Sequence, residues 1–431
     1  MKKLLLASAS AAALFAAPAL AQQTSDVWQD GEDNSAIVNQ TGNEGVSDID
    51  QDGDDNVADV TQSEEPTLGS PSFGTPANQA TIDQDGDNSR ARVEQNSTNP
   101  GGAANVATIT QQSSYDPSDN DTDSTVPSGF ANNARVIQDG FDNQSTISQT
   151  ANGLNGLGLT GAAAYNSQEG SGHRSTITQY EVSGDTEFDP ASRVDVFQLG
   201  ESNTSEVLQT RQANAATVTQ SGARNDSFVQ QHRSNNTAFV TQTGEDGTST
   251  LFQSQNDQAT LNQGGTNNDS KIDQGGSYLV AFVDQIGDSN RSIVIQRGGN
   301  NLADVDQSGA RNFSNVREQF GSFNTSEVTQ SGQDNSSLIQ QGNPGGNPAT
   351  NSSAIIEQSG LFNDSEINQQ GDGQKADVNQ SGDFNNSFVT QAGNLNTATV
   401  NQHSDGNLSI VNQGGTGNTA VVNQGVAPGS I

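Results

Sequence analysis

Apolar and polar side chains in this chain follow a pattern that returns at a step of eleven residues. With a glutamine as position zero, Gly usually stands at position two and Asn at five. Ala or Ser stands at seven, Val, Ile or Leu at nine, and the next glutamine at eleven. Gln198, Gln209, Gln220, Gln231, Gln242 and Gln253 keep the step, as do Gln29 to Gln62 and Gln263 to Gln307. It continues through Gln319, Gln330 and Gln341, then from Gln358 to Gln424. Positions five, seven, nine and eleven are two apart, the period of a strand whose alternate side chains share a face. The pattern predicts that Asn203, Ser205, Val207 and Gln209 point inward while Thr204, Glu206 and Leu208 meet solvent. Glycine at position two, beside variable polar residues, is turn chemistry because it permits positive φ. Each unit reads as one short strand and one tight turn.

Position seven then separates the strands into two kinds. It reads Ser205, Ala216, Ser227, Ala238, Ser249 in one block and Ser365, Ala376, Ser387, Ala398, Ser409, Ala420 in another. Within uninterrupted blocks only the neighbours Ser326 and Ser337 break the alternation. Successive strands are therefore inequivalent, and the structural period is 22 residues. This predicts an all-β, cross-β fold: a two-strand-per-turn parallel β-solenoid, amyloid-like, with odd strands in one sheet and even strands in a second sheet facing it. Roughly 30 strands at the usual strand spacing make a body on the order of 70 Å long.

Like side chains in such a stack lie one above another, so amides can bond along the axis and escape the cost of unpaired burial. The predicted amide ladder comprises Gln198, Asn203, Gln209, Asn214, Gln220 and Asn225, and later Gln380, Asn385, Gln391, Asn396, Gln402, Asn407, Gln413, Asn418 and Gln424. The predicted aliphatic column comprises Val207, Val218, Val229, Val240, Val378, Val389, Val400, Val411 and Val422. Gly200, Gly222, Gly382, Gly393 and Gly415 mark the turns.

Composition bears on how such a body holds together. Hydrophobic residues make up 29% and aromatics 5%, too little for a conventional core of this length. A formal charge of −35 excludes nucleic-acid binding by charge neutralisation. Cysteine is absent, which removes disulfides and thiolate chemistry. Residues 1–21, with Lys2 and Lys3 before an apolar run and Ala19-Leu20-Ala21 at its end, read as a cleaved secretory signal, and no segment reads as transmembrane. Residues 22–197 read as repeats interrupted by polar loops, with 22–27 a short lead. Residues 198–424 read as the regular solenoid and 425–431 as a tail.

Candidate chemistry is sparse. Asp48, Asp50 and Asp52 match the opening of an EF-hand calcium loop, with Asp59 at the twelfth place, although they also fit the acidic variable positions of a repeat turn. Asp116, Asp119, Asp121 and Asp123 form a second acidic cluster in a loop. His232 and His403 fall just after a repeat Gln and His173 beside a loop, so no catalytic constellation, and no enzyme, is read from the chain.

The unit Gln391, Gly393, Asn396, Ala398, Gln402 resembles the curlin repeat of curli fibre subunits. The resemblance implies a secreted subunit that assembles on a bacterial cell surface into functional amyloid, serving biofilm matrix and adhesion. It further implies an outer-membrane export pore and a nucleator subunit as partners, with Gln402, Gln413, Asn407 and Asn418 in the places of the family's ladder residues. No cofactor is implied. A soluble, monomeric β-solenoid that binds calcium, ice or a surface glycan through its outward strand faces fits the same pattern.

Overall fold

The computed structural model describes residues 23–42, 45–64, 78–97, 103–114, 132–152, 162–182, 192–343 and 348–425. The residues read as a secretory signal, the residues beyond 425 and the acidic cluster from Asp116 to Asp123 lie outside the described residues, as does most of each polar loop. Among the described residues, no helix is long and apolar enough to cross a membrane.

Period two is obeyed along each strand. In β13 (Thr204–Thr210), Ser205, Val207 and Gln209 are buried while Thr204 and Glu206 are exposed. Its partner β15 (Asp226–Gln231) runs parallel, with Ser205 beside Ser227, Val207 beside Val229 and Gln209 beside Gln231. In the other sheet β12 (Arg193–Glu201) and β14 (Ala215–Ala223) match Val196 to Val218 and Gln198 to Gln220. Alternate strands thus segregate into a 17-stranded and a 16-stranded parallel sheet, the extra member of the first being the two-residue β26 (Ala349–Thr350). The chain is a parallel β-solenoid with two strands per turn. Sixteen strands in the second sheet give a stack of about 70 Å at ~4.8 Å per level.

The alternation at position seven sorts with the sheets. Ser205, Ser227, Ser249, Ser270 and Ser292 are buried in one, Ala216, Ala238, Ala259, Ala281 and Ala303 in the other. Small residues there let the sheets approach, and the aliphatic column fills the space between. Val207, Val218, Val229, Val240, Val378, Val389 and Val400 are no more than 1% exposed, against 6% for Val411, and Val422 at the end is partly buried against the same cluster.

The interruptions leave the stack intact. β4 (Val57–Glu64) pairs with β6 (Arg90–Ser97) across a long insertion, Val60 beside Val93 and Gln62 beside Gln95. The sheets also run through residue 197, because β11 (Arg174–Val182) pairs with β13 and β10 (Ala163–Ser171) with β12.

Two expectations are corrected. Of the expected lead 22–27, residues 24–27 already belong to the repeats: β1 (Thr24–Asp30) pairs with β3 (Val46–Asp52), placing Ser25, Val27 and Gln29 beside Ser47, Ile49 and Gln51. Gln319 does not hold a repeat position. In β23 (Phe313–Ser322) the residue opposite Gln296 is Glu318, and the next matched pair is Gly298 with Gly321. Gln319 and Phe320 together oppose the single residue Arg297, which is a β-bulge. Counting elevens picked Gln319 because its residue type fits, whereas the backbone register chose its neighbour.

Candidate functional site: the amide columns and the end rungs

Each inward glutamine amide works in two directions. Gln198 donates from Nε2 to Gln220 Oε1 at 2.8 Å and to the Arg174 carbonyl at 3.0 Å. Gln209 donates to Gln231 Oε1 at 2.7 Å and to the Arg193 carbonyl at 3.1 Å. Gln220 repeats the arrangement with Gln242 Oε1 and the Thr204 carbonyl, both at 2.8 Å. One hydrogen follows the axis and the other crosses to the facing sheet, so a single side chain ties both levels and both layers. The column continues from Gln380 through Gln402 to Gln424 and from Gln391 to Gln413, at 2.7–2.8 Å. Gln413 and Gln424 keep their cross-sheet bonds, to the Thr397 and Leu408 carbonyls at 2.9 Å.

The asparagines behave differently from a simple amide-on-amide ladder. Asn203 donates to the Leu199 carbonyl of its own turn at 3.1 Å and to the Gly222 carbonyl one level on at 3.2 Å, while its Oδ1 accepts the Asn225 backbone N–H at 3.0 Å. Asn214 likewise donates to Arg233 O and accepts from Asn236 N–H, and Asn225 donates to Gly244 O. Near the far end Asn385 accepts from the backbone of Asn407, and Asn396 from that of Asn418. Asn407 donates to the Asn385 amide and Asn418 to the Gly414 carbonyl. One methylene shorter than Gln and seated at the turn, Asn reaches backbone more often than another amide, so it fixes turn geometry from one rung to the next.

Gly200, Gly222, Gly382, Gly393 and Gly415 all have positive φ. At Gly222 a Cβ would stand 2.1 Å from the Gly244 carbonyl oxygen of the next rung, so glycine is required twice over.

Among the described residues, three ionisable side chains occupy column places that a consensus reading assigns to amides. His173, fully buried, takes an Asn place: Nε2 meets the Glu169 carbonyl at 3.0 Å and Nδ1 accepts the Asn203 N–H at 3.2 Å, an arrangement that suits the neutral ring. Burial lowers its pKa, opposed by the Glu169 carbonyl. Asp257 takes another, accepting from the backbone of Ser254, Gln255 and Leu279; its pKa is raised, burial outweighing those bonds. Glu318 takes a Gln place and accepts Gln296 Nε2 at 2.8 Å, while its Oε1 has no hydrogen-bond partner. Burial pushes its carboxyl up to about 8, held back first by the hydrogen bond from Gln296.

Ser326 explains itself at this point. It stands between Ala303 and Ala354, in the sheet that carries alanine here on all its other strands except β12, which has Val194, and donates to Gln341 Oε1 at 3.0 Å. Elsewhere in the column the preceding glutamine supplies that donor, and Glu318 has no amide to give. The break in alternation between Ser326 and Ser337 was the sequence signal for this compensation.

The calcium reading is corrected. Asp48, Asp50 and Asp52 lie on the exposed face of the extended strand β3, not in a loop. Same-face residues in a strand are ~7 Å apart, so they cannot converge on one ion as an EF-hand turn makes them do. Among the described residues no group of three or more His, Asp or Glu side chains is placed to hold a metal. The carboxylates instead stack: Asp50 beside Asp83 and Asp52 beside Asp85. The Asp83 carboxyl is raised by partial burial first and then by Asp50, Asp85 and Asp48.

The end rungs present the same columns as the interior. At one end Ser409, Val411 and Gln413 of β32 (Leu408–Thr416) share a sheet with Ser25, Val27 and Gln29 of β1 at the other. Ala420, Val422 and Gln424 of β33 (Thr419–Gln424) share the second sheet with Ala36, Val38 and Gln40 of β2 (Ser35–Thr41). Residues 212–244, 265–298, 281–309 and 375–403 match the family described as curlin associated repeat. Over those residues the chain carries the curlin repeat. No curated protein matches the chain. The four curlin matches all fall after residue 211, and the insertion-rich rungs before residue 200 continue the same two sheets.

Proposed function

We propose that this curlin-repeat protein is a secreted structural subunit whose copies add end to end into a curli-type extracellular amyloid fibre, serving biofilm matrix, adhesion and surface colonisation. Its partners are then further copies of itself, with an outer-membrane export pore and a nucleator as the family's other components. The observation that carries the reading is the match between the two ends. A second copy placed one level beyond β32 and β33 sets Gln29 over Gln413 and Gln40 over Gln424, serine over serine in one sheet and alanine over alanine in the other. The serine or alanine, valine and glutamine columns then pass through the seam without a change of residue type. A parallel edge of this kind is a template for another chain, and a head-to-tail contact that does not close makes a filament.

Gly415 tests the seam. In the single chain an added Cβ there meets only Asn418 Nδ2, at 3.8 Å, whereas at Gly393 it would lie 2.0 Å from the Gly415 oxygen. Gly415→Ala therefore folds, with a cost of about 1 kcal/mol from its positive φ, but projects a methyl at the Gly31 carbonyl of an incoming copy. Purified wild type is expected to elongate in light scattering and to give meridional fibre diffraction at ~4.7 Å, and Gly415→Ala to remain a folded monomer. A wild type that persists as a β-sheet monomer under assembly conditions overturns the fibre reading in favour of a soluble ligand-binding solenoid. Unimpaired elongation by Gly415→Ala overturns this seam.

A further inference from the structure

The rung at β23 combines a buried acid, a bulge and a glutamine beside the acid. The glutamine column runs Gln274, Gln296, Glu318, Gln341, Gln369 through one sheet, with Glu318 fully buried. Its Oε1 stands where each glutamine places an N–H donor, and it has no hydrogen-bond partner. Only the protonated acid can donate there; an ionised one is a buried charge with an unmatched oxygen, which is strongly disfavoured. No positive group among the described residues compensates. On β21 (Arg291–Gly299) the charged residues are Arg291 and Arg297, on β22 (Leu302–Ala310) Asp304 and Asp306, on β23 itself Arg317, and on β24 (Thr325–Gln333) Glu327. All six alternate with the buried positions, on the outward face, and β25 (Ser336–Gln341) carries none. What faces Glu318 is Gln296 and Ser326.

The bulge supplies an exit. Gln319 and Phe320 oppose Arg297, so moving the extra residue one step back, to Arg317 and Glu318 opposite Ile295, would set Gln319 against Gln296. Residues from Phe313 to Val316 and from Gly321 onward keep their partners. We propose that Glu318 and Gln319 are alternative occupants of one place in the glutamine column, exchanged by a single proton: neutral Glu318 holds the place in acid, and on ionisation the bulge migrates and Gln319 takes it. The exchange is local to one rung of sixteen and rests on the fold alone, not on fibre formation. Two further features support it. Gln341 already has an independent donor in Ser326, so either occupant leaves it satisfied. The carboxyl, pushed up to about 8 by burial, would change state between the two pH values compared below.

The test compares wild type, Glu318→Gln and Gln319→Ala by amide hydrogen exchange of residues 313–322 at pH 5.5 and pH 9. Glu318→Gln restores the column and sets the reference at each pH, which cancels the intrinsic pH dependence of exchange and the contribution of the outward carboxylates. At pH 5.5 the three proteins are expected to protect this strand equally. At pH 9 wild type is expected to exchange at least tenfold faster than Glu318→Gln at residues 317–320 alone, and Gln319→Ala to lose protection over the whole strand, having no amide to place in the column. Equal protection of wild type and Glu318→Gln at pH 9 overturns the proposal. So does Gln319→Ala behaving as wild type at pH 9, because Glu318 would then ionise in place.

Discussion

A single buried amide here, such as that of Gln220, serves three groups, which makes its neighbours unusually dependent on residue type. Ser326 is the clearest case: its hydroxyl repairs a donor missing at Glu318, two strands meeting at one oxygen of Gln341. Ser326→Ala leaves that oxygen buried with no hydroxyl donor and is expected to cost about 1–3 kcal/mol, read from denaturant midpoints at acid pH. In a Glu318→Gln background the same change should cost distinctly less, since the amide introduced there can donate down the column; a full-sized cost in both backgrounds would show that Ser326 acts through packing alone. His173 is held neutral in a similar way, by a carbonyl on one ring nitrogen and an N–H on the other. Its lowered pKa means that the rod gives up stability when pH falls through the ordinary histidine range, where the unfolded chain binds the proton first.

At the scale of the strand and turn, the element is defined more by what it stacks on than by what it contains. A glycine turn with positive φ could be argued from sequence, but not that the hydrogen of Gly222 faces a carbonyl of the next rung. Gly222→Ala is expected to open at least that turn, lowering the melting temperature by several degrees or leaving the protein insoluble, because the collision is with backbone that cannot move aside. The matched change at Gly406, where nothing lies within 4 Å of an added Cβ, carries only the cost of its φ of 69°. Equal losses at the two sites would remove the rung-to-rung contact from the explanation. Strand pairing across long insertions follows the same logic: β4 finds β6 because like columns meet, whatever the length of chain between them.

For the whole molecule the dominant long-range term is charge, 51 acidic against 16 basic side chains. Acidic residues concentrate on outward strand positions, where Asp304 is raised by partial burial and then by Asp306, Glu327 and Asp284. A raised carboxyl stabilises the rod fully below its ordinary value and loses that contribution as pH rises through the raised one, so thermal stability should be greatest in mild acid. Addition of one rod to another brings like charges together as well. Raising salt from 0.01 to 0.15 M shortens the screening length from ~30 to ~8 Å and should speed elongation severalfold, followed by light scattering. Elongation slowed by salt would mean that attraction between charges, not column continuity, drives the contact.

Much of this molecule could be read before any coordinates. Val207, Val218 and Val229 declare the inward face by recurring at a fixed step, and the serine and alanine alternation declares two sheets, because a mistake repeated at every rung would bury charge at every rung. The exceptions could not be read in that way. Whether Glu318 or Gln319 enters the column, that His173 and Asp257 replace asparagine, and that Ser25 and Val27 already belong to the first rung are each settled by partners 22 or more residues away in the chain. A repeated position carries its own evidence through its many copies; an isolated substitution is fixed only by the hydrogen bonds and space that the rungs above and below leave for it.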